Sequence, residues 1–196
     1  MSGQPGSGQP ASRLILLGNL GHAWVLLGIL AAAFVAQFAD GAPPCPLCVM
    51  QRIGFLLAAL GPCHVLLAAG REGLTARVVA QGAGMTVLGS LLGAALSIRQ
   101  VLLHILPGDP GFGSPVLGYH LYTWAAIAFA CSIAAAGAQL LALRWVAPEA
   151  PRPVPGARVT ALAAAAMLLA NILSVVAEAG LAWHLPDNPT SYLLFG

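Results

Sequence analysis

Five long apolar stretches restrict this 196-residue chain to very few folds. They lie at about 14–38, 47–69, 78–103, 119–143 and 159–183. Each has about 23–26 residues, and an α-helix of that length, rising about 1.5 Å per residue, crosses a hydrocarbon core of about 30 Å. Within lipid, only a helix satisfies its own backbone polar groups over such a run. We therefore predict an all-α integral membrane protein, an antiparallel bundle of about five transmembrane helices in which consecutive helices are neighbours.

The scarcity of charge supports this interpretation. Charged residues make up 7% of the chain and the mean hydropathy is +0.85, whereas soluble domains carry about 25% charged residues. So little charge cannot cover a water-soluble surface. The net charge of +2 is also too small to suggest a nucleic-acid partner.

The arginines predict the orientation of the bundle. If the N-terminus is cytoplasmic, only Arg52 and Arg99 lie toward the outer face, and the other six arginines lie inside, as the positive-inside rule requires. These six are Arg13, Arg71, Arg77, Arg144, Arg152 and Arg158. We expect a bacterial inner-membrane protein with a cytoplasmic N-terminus and a periplasmic C-terminus.

The spans and the composition between them divide the chain into five parts. The first apolar stretch is longer than the roughly 7–15 residues of a signal-peptide core, so we expect it to be retained as a span. We expect a disordered cytoplasmic leader at 1–12, a four-helix membrane domain at 13–145, a proline-containing cytoplasmic loop at 146–158, a fifth helix at 159–184 and a periplasmic tail at 185–196.

A pair of cysteines lies where the second helix begins, on the outer side. Cys45 and Cys48 have the spacing of a small redox-active disulfide, and the unpaired N–H groups of a helix N-terminus favour a thiolate there. Arg52 lies one helical turn after Cys48, on the same face. A zinc site is disfavoured because four ligands are not at hand, and a thioredoxin motif because no βαβ pattern surrounds it. An inert structural disulfide stays open as an alternative.

Two segments carry a resemblance to a known family. Residues 44–52, PCPLCVMQR, resemble the CxxCxxxR signature of the disulfide bond formation protein B (DsbB) family, and residues 99–107, RQVLLHILP, resemble a stretch at the end of that family's third helix. The resemblance extends over the first four spans, about 14–145. It implies that a quinone, ubiquinone or menaquinone, oxidises the cysteine pair, which in turn oxidises a soluble periplasmic thiol oxidase of thioredoxin fold.

The resemblance also implies roles for individual residues. Cys45, nearer the loop, would meet the partner thiol as the more accessible sulfur, and Cys48 would face the quinone. The residues expected to bind the quinone are Arg52, Gln51, Arg99, Gln100 and His104. We expect no metal site.

Two departures from the family pattern bear on function. Family members of the usual kind have a second cysteine pair in the second outer loop, but the corresponding segment 104–120 has none. Cys63 lies about 22 Å along the helix from Cys48, and we expect both Cys63 and Cys131 to be buried packing residues. The fifth span is the second departure, and its outer end carries Trp183, His184 and Asp187 in place of cysteines.

Several other polar residues leave alternatives open. Arg99 either shares the site with Arg52 or extends toward the interface, and Glu178 either pairs with an arginine or is solvated at the interface. His104 and His120 either anchor the outer loop or carry protons.

Two further predictions concern residues within the spans. Haem ligation by His22 and His64 is disfavoured, because no spacing rule supports it. Glycines in the third span, namely Gly82, Gly89 and Gly93, predict close helix packing.

The leading interpretation is thus a quinone-dependent membrane thiol–disulfide oxidoreductase. The alternative is a catalytically degenerate membrane scaffold that keeps the fold and binds a partner protein or a quinone, and the missing second cysteine pair is what favours it.

Overall fold

The computed structural model describes residues 9–39, 43–180 and 192–194. The helices are α1 (Gln9–Ala39), α2 (Pro46–Arg71), α3 (Ala76–Leu103), α4 (Leu121–Leu141), followed by a 3-10 turn (Ala142–Trp145), and α5 (Ala157–Ala179). In this described part of the chain the β-structure is limited to an isolated bridge between Val116 and Tyr119. All five helices are long and apolar enough to cross a membrane, the α4 span including the 3-10 turn. The prediction of an all-α membrane bundle is confirmed.

The observed helix ends follow local rules. α1 begins at Gln9, earlier than expected, because Pro10 is compatible with a first helical turn; the rest of the leader lies outside the described residues. Cys45 caps α2, and Thr75 caps α3 by accepting a hydrogen bond from the Val78 amide at 3.2 Å. The outer end of the fifth span, with Trp183, His184 and Asp187, and most of the tail also lie outside the described residues.

α2 is the central helix. In its most apolar window 67% of the residues are buried, against 17–33% for the other four helices. It packs most closely on α3 because glycines let the two backbones meet. A Cβ added at Gly54 of α2 would lie 2.8 Å from the Cα of Gly93, and one added at Gly89 would lie 2.6 Å from the Leu57 carbonyl carbon. A Cβ at Gly82 would lie 2.8 Å from the Gly61 carbonyl oxygen, so the predicted close packing at the α3 glycines is confirmed.

The position of α5 differs from the expectation that consecutive helices are neighbours. α5 packs against α1 and α2 rather than against α4. The connecting segment explains this, because it crosses beneath the α2–α3 turn, where the Glu149 amide donates to the Leu74 carbonyl at 2.9 Å. Gly156, at φ +81°, then begins α5 beside α1. Polar side chains of α5 can therefore reach α1 and α2.

The two remaining cysteines have different surroundings. Cys63 is buried in α2, as predicted, but Cys131 is exposed on α4, so the packing prediction is wrong for Cys131. The reason is that α4 is peripheral, with 17% of its apolar window buried. His22 Nε2 lies 3.0 Å from the Ser132 hydroxyl and links α1 to α4.

Candidate redox site

Cys45 and Cys48 form a disulfide at the start of α2, with Cα atoms 5.1 Å apart. Cys45 is the N-cap residue, and its sulfur accepts a hydrogen bond from the Cys48 amide at 3.2 Å. Pro46 occupies the first turn, where its missing N–H has no helical partner to lose. The sulfurs therefore lie at the positive end of the helix dipole, which stabilises negative charge on them.

Gln100, near the end of α3, contacts the disulfide from outside α2. Its Nε2 lies 3.3 Å from the Cys45 sulfur and 3.8 Å from the Cys48 sulfur. Its Oε1 accepts a hydrogen bond from Gln51 Nε2 at 2.7 Å. Because Gln51 occupies the oxygen, the amide of Gln100 is held with its donor toward the sulfurs.

The two cysteine residues differ in exposure. Cys45 is 6% exposed, whereas Cys48 is partly exposed. The expectation that Cys45 is the more accessible is therefore wrong for this conformation. One physical reason is the Gln100 side chain of α3, whose amide lies 3.3 Å from the Cys45 sulfur.

Arg52 is buried, with 6% of its surface exposed, and its guanidinium is bound to α1. It donates to Gln37 Oε1 at 2.6 Å and to the Ala33 carbonyl at 3.2 Å, and it lies 4.6 Å above the Phe34 ring. Among the described contacts, its hydrogen bonds thus go to α1 and not to Cys48. Arg52 supplies a fixed positive charge one helical turn from the disulfide.

α5 extends this polar network. Gln37 Nε2 donates to the Ser174 hydroxyl at 3.0 Å and to the Tyr192 hydroxyl at 2.7 Å. Glu178, one turn after Ser174, is fully buried. Complete burial rules out the alternative of solvation at the interface, but among the described residues no arginine forms an ion pair with Glu178 within 4.0 Å.

Sequence reasoning missed Gln37, Ser174 and Tyr192. For Ser174 a signal existed: it precedes Glu178 by four residues in an otherwise apolar span, so both face one side of the helix. Gln37 and Tyr192 carried no comparable signal, because nothing in the sequence indicated that α5 lies beside α1.

The outer segment after α3 is organised around aromatic and imidazole rings. The rings of His104 and His120 stack on Tyr122, with centroids 5.7 Å and 5.2 Å away. His104 Nδ1 lies 3.0 Å from Asp109 Oδ1. The Gly111 amide, and then His104, lower the pKa of the Asp109 carboxyl below its usual value. His104 therefore lies in a loop cluster at the disulfide end of the bundle, where the sequence predicted quinone binding.

The remaining predicted site residue, Arg99, is exposed on α3, while its neighbour Gln100 faces the disulfide. The structure thus brings Gln51, Gln100 and the cysteines together and places Arg52 nearby on α2, with its guanidinium bound to α1, but it does not join Arg99 to Arg52. A cleft of about 740 Å³ lies at the opposite end of the bundle, between α1 and the segment around Arg152. That cleft is not part of the redox site.

The fold and the site define a multi-pass helical membrane protein with a CxxC disulfide at the start of a spanning helix. The chain belongs to the DsbB family, because the model of the disulfide bond formation protein DsbB matches residues 16–113. That match covers most of α1, all of α2 and α3, and part of the following loop. α4 and α5 lie beyond it.

Named relatives agree with this assignment. The chain is 40% identical over 82 residues to disulfide bond formation protein B of Chromobacterium violaceum, covering 42% of this chain and 47% of that one. It is 42% identical over 103 residues to the protein of Hahella chejuensis, covering 49% and 56%. The protein of Burkholderia thailandensis is 28% identical over 164 residues, covering 65% and 88%. The chain spans about half the length of the first two relatives, and no solved structure matches it.

Proposed function

We propose that this protein is a quinone-dependent thiol–disulfide oxidoreductase. It would oxidise the dithiol of a periplasmic thioredoxin-fold protein through Cys45 and Cys48, with ubiquinone or menaquinone as the electron acceptor. The observation that supports this best is the amide of Gln100, which donates toward both sulfurs at a helix N-terminus. Such donors stabilise a thiolate more than a disulfide, as expected of a pair that cycles between the two states.

The partner's thiolate exchanges with the disulfide through a mixed disulfide. Cys45 is the proposed point of attack because it lies outside the helix, next to the outer loop, while Cys48 lies in the first turn of α2. Cys48 is then the leaving thiolate, stabilised by the helix N-terminus and by the charge of Arg52. Because Cys45 is 6% exposed, this attack requires the residues around it to move aside.

The residues at this end of the bundle fit a quinone. Its carbonyl oxygens are hydrogen-bond acceptors. The buried amide of Gln100 is a donor that already points at the sulfurs, and the buried amide of Gln51 donates to Gln100. The adjoining exposed side chains, Met50, Leu102 and Leu103, are apolar. When bound, the quinone supplies an acceptor for two electrons and two protons.

The other predicted quinone-binding residues would act at the periphery of this site. Arg52 of α2, held by its hydrogen bonds to α1, would place a positive charge near it. Arg99 and His104, at the outer end of α3, would contact the quinone from the membrane surface. These two roles rest on the sequence resemblance and on their position in the fold.

The proposed location is a bacterial inner membrane. The disulfide end of the bundle would face the periplasm, because the end that carries Arg71, Arg77 and Arg152 has the excess of arginine typical of cytoplasmic loops. The N-terminus is then cytoplasmic and the C-terminus periplasmic.

The test is reduction of a soluble quinone by the purified full chain, supplied with a reduced thioredoxin-fold dithiol protein. We expect the quinone to be reduced by the natural chain and by a Cys63→Ala, Cys131→Ala variant, which serves as the matched cysteine control. The Cys45→Ala, Cys48→Ala variant should be inactive.

One alternative function is supported by a specific observation. The segment 104–120 has no cysteine, which fits a scaffold that binds a partner or a quinone without exchanging thiols. The absence of quinone reduction by a folded chain with its Cys45–Cys48 disulfide intact would establish the scaffold and refute the enzyme.

A further inference from the structure

Gln37, near the end of α1, links α1 to α2 and to α5 through its side-chain amide. It is buried, with 5% of its surface exposed. Its Oε1 accepts a hydrogen bond from Arg52 at 2.6 Å. Its Nε2 donates to the hydroxyl of Ser174 in α5 at 3.0 Å and to that of Tyr192, after α5, at 2.7 Å. The proposed reaction uses Arg52 but assigns no part to Gln37 or to α5, which lies beyond the segment matched by the DsbB family model.

The two hydroxyls determine which way the Gln37 amide faces. A side-chain amide has an acceptor oxygen on one side and a donor NH2 group on the other, and a guanidinium has donors alone. Arg52 therefore requires the oxygen. The Ser174 and Tyr192 hydroxyls accept from the NH2 group and so hold the oxygen toward Arg52. The Ser174 hydroxyl also lies 3.4 Å from that oxygen, to which it can donate. Without these hydroxyls, rotation of the amide would turn a donor toward a donor.

The position of Gln37 along α1 determines how near the Arg52 guanidinium lies to the disulfide. Arg52 also donates to the Ala33 carbonyl at 3.2 Å, one turn earlier on α1. Because α1 runs toward the disulfide end of the bundle, Gln37 lies about 6 Å nearer to that end than Ala33 does. If the Gln37 contact were lost, the contacts with Ala33 and with the Phe34 ring would remain. The guanidinium would then settle farther from the disulfide.

We propose that Ser174 and Tyr192 are positioning residues for the charge of Arg52. Acting through the Gln37 amide, they hold that charge toward the disulfide. This inference rests on the proposed function, in which the charge stabilises the Cys48 thiolate. When a dithiol reduces the pair, it gives up two electrons and two protons; one proton stays on the other cysteine as a thiol, and the second is released to water. The charge favours the reduced state, because only that state carries the thiolate, so α5 raises the oxidising power of the pair.

The experiment measures the redox equilibrium of the pair without quinone or partner protein. The purified full chain is equilibrated at one neutral pH with mixtures of reduced and oxidised dithiothreitol, and the reduced fraction of Cys45 and Cys48 is read by alkylation and mass mapping. The test variant is Ser174→Ala, Tyr192→Phe, which removes both hydroxyls and little else. We expect the equilibrium constant for reduction to fall about threefold to tenfold. A charge about 6 Å from a thiolate has this effect when it moves away by a few ångströms at an effective dielectric constant of about 20.

The same two substitutions in an Arg52→Met background test whether the effect passes through the arginine. With no charge to hold, the loss of the hydroxyls should leave the equilibrium constant of that background unchanged. The matched control is Ser132→Ala, which removes a buried hydroxyl that lies 3.0 Å from His22 and links α4 to α1; it should behave as the natural chain does. Gln37→Leu is the second test variant, in case the first does not fold, and it should show the same fall.

Two results would overturn the inference. One is an unchanged equilibrium constant in folded Ser174→Ala, Tyr192→Phe or Gln37→Leu protein. The other is an equal fall in the natural and Arg52→Met backgrounds, because the hydroxyls would then act on the disulfide without the arginine. Failure of the proposed function gives a different result: the natural chain would reduce no quinone, while removal of the hydroxyls would still shift the equilibrium with dithiothreitol.

Discussion

Replacing Gln100 with Leu should make the Cys45–Cys48 pair less oxidising. The lost contacts are the donations from Gln100 Nε2 to the two sulfurs, at 3.3 Å and 3.8 Å. A hydrogen bond to a charged group contributes about 1.5–3 kcal/mol and one to a neutral group about 0.5–1.5 kcal/mol. The thiolate therefore loses about 1–1.5 kcal/mol more than the disulfide does. Since 30 mV corresponds to about 1.4 kcal/mol for a two-electron couple, the reduction potential should fall by about 20–30 mV.

The assay is equilibration in a thiol redox buffer at one pH, with the reduced fraction read by alkylation. Gln81→Leu is the matched control, because Gln81 is exposed near the other end of the same helix, and its potential should not change. The variant should also be less stable, because Gln51 loses the acceptor of its 2.7 Å hydrogen bond and a buried unpaired donor costs about 1–3 kcal/mol. An unchanged or higher potential in a folded Gln100→Leu protein would refute the proposed stabilisation of the thiolate.

Three further predictions concern other parts of the molecule. Cys48→Ala should trap the thioredoxin-fold partner as a mixed disulfide on Cys45, and Cys45→Ala should trap none; the reverse pattern on non-reducing gels would assign the attack to the more exposed Cys48. A membrane-soluble maleimide should label the exposed Cys131 in intact membranes but not the buried Cys63, and labelling of Cys63 at an equal rate would contradict the packing of α2. Because the pKa of Asp109 is lowered in the folded loop, the stabilisation it provides is present above the ordinary aspartate pKa of about 3.9 and is lost as the pH falls through the lowered value. Tryptophan fluorescence should show this acid transition, since Trp124 donates to Val116 of the same segment, and a transition that persists in Asp109→Asn would exclude Asp109 as its cause.

Much of the fold was predictable, because the lipid restricts the chain so strongly. Long apolar runs predict helices whatever their neighbours, and the CxxC spacing and the proline in the first turn predict where α2 begins. The glycines of α3 predicted a close contact as well. The position of α5 was not predictable, because it depends on the path of the segment before it. In that segment the Glu149 amide bonds to the Leu74 carbonyl, a contact that no pattern in the sequence indicates.

The sequence indicated most residues of the candidate site, but it did not indicate which of their side chains contact one another. The motifs indicated the cysteines, Gln51, Arg52 and Gln100, but not that Gln100 is the side chain that faces both sulfurs. The prediction that Cys45 is the more accessible cysteine was wrong because it was based on the position of Cys45 outside the helix and took no account of the side chains that cover it. Burial of a loop residue depends on the side chains that cover it, here Gln100 from another helix.

The position of α5 bears on how the protein could function without a second cysteine pair. A relay pair in the outer loop would carry electrons to the disulfide, but it would not change the charge around that disulfide. α5 contributes nothing that exchanges thiols in its described part; instead it adds Ser174, which binds Gln37, to the network that holds Arg52. If the partner exchanges directly with Cys45 and Cys48, the single pair must accommodate both the thiolate and the returning electrons. Through Ser174 and Gln37 the fifth helix helps to fix Arg52, whose charge would stabilise the Cys48 thiolate, so the fifth helix would support direct exchange without replacing the relay.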